Sequence, residues 1–90
     1  MNTYSEVTST THPVGGLRFH MELDNGHGDV MNARYILKAM DIHPDNYEFD
    51  SGMCHTSIKV LSGDLEGKWF DVQSEQIGND RCIVTLLEDK

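Results

Sequence analysis

Five histidines and two cysteines are the residues best suited to chemistry: His12, His20, His27, His43, His55, Cys54 and Cys82. Zinc favours ligands at short fixed spacings, two residues apart across a turn or four apart on a helix. No pair here has that spacing, and His20 and His27 meet only if the turn between them folds back beside Asp24. Cys54 beside His55 pairs a thiol with a base, yet neighbours on a strand point to opposite faces. Cys54 and Cys82 have core parity instead, where a free thiol packs as a small hydrophobe. Gly26-His27-Gly28 offers two glycines of a phosphate loop, but Met31 stands where the third is needed. Asp29 would also repel a phosphate there. The expectation is therefore no metal centre, no cofactor and no enzyme.

Carboxylates give a stronger pattern. Asp41, Asp45, Glu48 and Asp50 surround Tyr47, and no Lys or Arg occurs from Ala39 to Ile58. Asp64, Glu66 and Asp71 form a second group about Trp69. Strand parity puts Trp69 opposite Phe70 and Val72, hence toward solvent. Acids around an aromatic steer a cationic partner by charge and hold it by ring contact. Tyr47, Trp69, Asp45, Glu48, Asp50, Asp64, Glu66 and Asp71 are thus expected to form one docking face for a basic protein partner. Small acidic domains of phages and mobile elements that block nucleic-acid-binding proteins have this size and charge.

The elements that must position these residues follow from period and punctuation. Leu17, Phe19, Met21 and Leu23 alternate with polar residues, the mark of a half-buried strand. Asn25-Gly26 signals a turn, after which His27 to Met31 would be a short second strand. Ala33, Ile36, Leu37 and Met40 share one helical face. That predicts a helix over about 30–41, capped by Asp29 or Asn32 and stopped at His43-Pro44. An extended piece from Asn46 to Phe49 follows, then strands at Cys54–Leu61, Lys68–Gln73 and Arg81–Leu87. The last is apolar on both faces, so it should be central or lie under the helix.

Ninety residues with 15 Asp and Glu against 7 Lys and Arg give a net charge of −8. That length supports one domain. Residues 1–15 read as a flexible tail or a late-docking edge segment, and 16–90 as a single α+β domain with a small, strongly curved antiparallel sheet. Scattered cations argue against direct nucleic-acid binding. No apolar run approaches the length of a membrane span. Residues 1–12 lack the basic start of a secretory signal, so a cytoplasmic location is expected. A homodimer would cover the double-sided strand if one helix does not suffice.

The stretch from Ile58 to Val72 places Ile58 and Val60 before Gly63, then Gly67, and returns on an apolar strand. With the strand at 82–87 it resembles a KOW motif, which implies a segment of an SH3-like or barrel-like sheet. Phe70 stands where the family usually has a small residue, and Asp64 and Glu66 put acid in a loop that often faces nucleic acid there. The resemblance implies a second reading: a small-ligand or nucleic-acid binding domain that uses the concave sheet face, with a pocket lined by Trp69.

Overall fold

The computed structural model describes residues 7–12, 16–51 and 55–89. Along the chain come β1 (Thr8–His12), β2 (Gly16–Leu23), α1 (Asp29–Ala39), a 3₁₀ turn (Pro44–Asn46), β3 (Tyr47–Ser51), β4 (Thr56–Val60), β5 (Trp69–Gln76) and β6 (Cys82–Asp89). The strands form one antiparallel sheet in the order β1-β2-β6-β5-β4-β3. The fold is α+β. The sheet is not closed, and β1 and β3 are its two edges.

The chain makes a hairpin, crosses the sheet once, and returns as a meander. After β2 it must reach the far edge, four strand spacings or about 19 Å away. α1 covers about 16 Å of that crossing and packs on β2, β6 and β5. Its Ala33, Ile36 and Leu37 are fully buried. They meet Met21 and Leu23 of β2, Cys82, Val84 and Leu86 of β6, Phe70 and Val72 of β5, and Ile58 and Val60 of β4. Burying each large apolar side chain contributes about 1.5–3 kcal/mol. β6 is central, as its double-sided apolar pattern implied.

Both ends of α1 differ from the expectation. His27 to Met31 forms no strand: Gly28, at φ 88°, precedes the helix, and no side chain caps it. The reason is Asn32. It is buried inside the helix and its Oδ1 accepts the His27 N–H at 3.0 Å, holding the loop against the core. The helix ends before His43-Pro44. The Ile42 N–H bonds Leu37 O at 2.9 Å and the Asp41 N–H bonds Lys38 O at 3.0 Å, with Asp41 at φ 63°. This is a Schellman motif, closed by packing of Ile42 on the core that holds Leu37. A proline was therefore not needed to stop it.

Part of the expected tail is structured. Thr8–His12 pairs with Gly16–His20 as an edge strand. The β-branched Thr residues there favour extended backbone, but an all-polar edge shows no apolar alternation to read. Cys54 and residues 1–6 and 13–15 lie outside the described residues.

Candidate functional site

Register divides the sheet into two faces. Tyr47 pairs with Val60, whereas Trp69 pairs with Lys59 and Asp89. Tyr47 therefore points to the helix side and Trp69 to the other. α1 packs on the helix side, against β2, β5 and β6. Cross-strand rows on the Trp69 side run Glu48–Lys59–Trp69–Asp89 and Asp50–Ser57–Asp71–Leu87–Arg18. Trp69 is half-buried, with the Lys59 ammonium 5.8 Å from its ring centroid. Asp71 is also half-buried, and its Oδ1 accepts the Ser57 hydroxyl at 2.9 Å. Glu48 and Asp50 on the edge strand are exposed. Leu87 on β6, one cross-strand row away, adds apolar surface beside Trp69. Trp69, Glu48, Asp50 and Asp71 are thus brought together.

The other four expected docking residues are not part of that face. Tyr47 keeps only 8% of its surface exposed and packs edge-on against Phe49, ring centroids 5.6 Å apart. Burial pushes its hydroxyl above the ordinary phenol range, and the Arg34 charge pulls it partly back. Asp45 sits in the 3₁₀ turn, where its N–H donates to His43 Nδ1 at 3.2 Å. Asp64 and Glu66 lie exposed in the turn between β4 and β5. Asp64 lines a cleft on the helix side with Phe19, Met40, Asp41 and Leu65. Parity alone separated Tyr47 from Trp69 once β3, β4 and β5 were known to pair. Without that register, closeness in sequence joined what the sheet divides.

Two features of the site region were missed from sequence. A cleft of about 410 Å³ opens at the end of α1, lined by Arg34, Tyr35, Lys38, Ile42, His43 and Tyr47 among others. The signal that could have found it was the pair of cations, four residues apart, beside the acidic stretch. The second is Glu88, on the core side of β6. It accepts the Leu17 N–H at 2.8 Å and pairs with Lys68 at 2.7 Å, tying β2, β5 and β6 at one end. Cys82 is buried in the core, where its parity placed it. Burial, and next the Asp29 carboxylate, push its thiol up, so it stays protonated and is a poor nucleophile. Among the described residues, no three His, Cys, Asp or Glu side chains converge as metal ligands. No described helix is long and apolar enough to cross a membrane.

No protein-family model, curated protein or solved structure matches this chain.

Proposed function

We propose that the chain is a non-enzymatic binding module and that its helix-free sheet face docks a basic protein. One observation carries this reading: Trp69 lies half-exposed in a cross-strand patch with Glu48, Asp50, Asp71 and Asp89, around the single cation Lys59 in its row, on the face opposite α1. A ring in such a patch supplies contact area at small entropic cost, and the carboxylates around it accelerate encounter with a cationic surface. The net charge of −8 favours the same sign of partner at longer range. Tyr47 has no part in this surface. Asp45, Asp64 and Glu66 contribute only to the field.

The SH3-like reading of the KOW resemblance is less well supported. Gly63 and Gly67 adopt φ of 89° and 84°, as tight turns require. However, Asp64 and Glu66 in that turn and Asp71 on the strand oppose a phosphate backbone.

The test is affinity capture from nuclease-treated lysate with four forms of the full chain. These are the wild type, Trp69→Ala, the Glu48→Gln/Asp50→Lys pair, and an Asp64→Lys/Glu66→Lys control away from the patch. The expected partner is basic, elutes with salt, and is lost by the second and third forms. The control should retain most of it, although it changes more charge. Capture that survives Trp69→Ala and the edge-strand pair, or that fails equally in the control, would rule out this surface.

A further inference from the structure

The cleft at the end of α1 lies on the opposite side of the sheet from Trp69 and is unlike the rest of the molecule in charge. In a chain with only seven Lys and Arg, Arg34 and Lys38 both line it. Among the described residues neither has a carboxylate within ion-pair distance. Arg34 is held in place, its guanidinium 5.7 Å from the centroid of the Phe49 ring. Stacking of that kind orients the fork without using its N–H donors.

The remaining walls are of two kinds. Tyr35, Tyr47, Ile42 and Pro44 supply apolar surface. His43 supplies a further donor: its Nδ1 accepts the Asp45 N–H, which leaves Nε2 to carry the proton of the neutral ring. Helix C-termini ordinarily repel anions through free carbonyls. Here Ile36, Leu37 and Lys38 carbonyls are taken by the N–H groups of Met40, Asp41 and Ile42. Asp41 is the one acid in the lining. A volume of about 410 Å³ falls in the range of small-molecule sites and has little room for a folded partner's surface.

We propose that this cleft binds a small amphiphilic anion, an aromatic carboxylate whose ring lies among Tyr35, Ile42 and Tyr47 and whose charge meets Arg34 and Lys38. The site is independent of the acidic docking face and survives that face's failure. A mainly apolar pocket with two cations in its lining selects for such a molecule over a neutral one of the same shape.

The experiment is a titration of the ¹⁵N-labelled full chain with 2-naphthoate and, separately, with uncharged 2-naphthamide. Naphthoate should shift the amides of Arg34, Tyr35, Ile42 and Tyr47 saturably and leave Trp69 in place. It should bind about tenfold or more tightly than the amide, the difference one charge-assisted contact supplies. An Arg34→Gln/Lys38→Gln variant, altered only at exposed helix positions, should remain folded, with native amide dispersion outside the cleft, and lose that preference. Equal affinity for acid and amide, unchanged naphthoate binding in the variant, shifts centred on Trp69, or no saturable shift would each overturn the proposal.

Discussion

Asn32 holds together the region where strand, loop and helix meet. It is buried within α1. Its Oδ1 accepts the His27 N–H, and its Nδ2 donates to Ser74 Oγ at 3.0 Å and lies 3.6 Å from Cys82 Sγ. A buried amide with both ends satisfied costs little, whereas truncating it breaks the tie to the His27 loop and leaves a cavity beside Cys82. Asn32→Ala should therefore destabilise the protein by about 2–3 kcal/mol, more than the propensity gain of Ala in a helix can offset. Urea unfolding measures the loss, and hydrogen exchange should show the His27 amide among the first to open. A loss below the usual scatter for surface changes would mean that the loop holds its place without this anchor. The residue type was legible in the sequence as a helix-start signal. Its actual role was not: a side-chain oxygen that caps and one that ties a preceding loop look alike without Ser74 of β5 and the buried Cys82 of β6 beside it.

At the level of elements, apolar period was enough for what is buried on one side. Met21 and Leu23, Ile58 and Val60, Phe70 and Val72, and Ile36 with Leu37 are core residues, and each was visible as a period of two or of the helix. Ends and edges were less legible. β1 is polar throughout, and α1 stops on Asp41, where glycine would have announced the motif. Asp41 holds φ 63°, a conformation that costs an L residue about 1–2 kcal/mol and aspartate somewhat less. Glycine removes that strain but loses about 0.4–1 kcal/mol through its freer unfolded chain. Asp41→Gly should thus raise stability by about 0.5 kcal/mol, the balance of those two terms. Asp41→Ala, which lacks the side-chain oxygen that eases this backbone, should lower it. Denaturant midpoints of the two variants decide the matter, since opposite signs are expected from one position. Two losses of equal size would locate the effect in the carboxylate rather than the backbone.

For the whole molecule, the order of strands was the part no local pattern could supply. β2 and β6 are adjacent, yet about sixty residues separate them, and a period of two says which face a residue takes but not which strand lies beside it. That order decides the charge distribution. The open face gathers acids from β3, β5 and β6, while described Lys and Arg ion pairs are few: Lys68–Glu88, and Arg81–Glu22 at 3.4 Å. Only the first combines a short distance with a carboxylate shielded from water, 13% exposed. Exposed pairs contribute little. The excess of eight negative charges is spread over a body of 35 × 29 × 26 Å, so most like-charged neighbours lie within a few Debye lengths at low salt. Self-repulsion of this kind opposes the folded state. Sodium chloride should therefore stabilise the protein: between about 20 and 500 mM the Debye length falls several-fold. A gain near 1 kcal/mol would raise Tm by about 4–8 °C for a domain of this size. Calorimetric scans at fixed pH measure it. Replacing exposed Glu48 and Asp50 by Gln and Asn should shrink the salt effect and raise the low-salt Tm together. A Tm that falls with salt would mean that attraction, chiefly at Glu88, outweighs the excess of like charge.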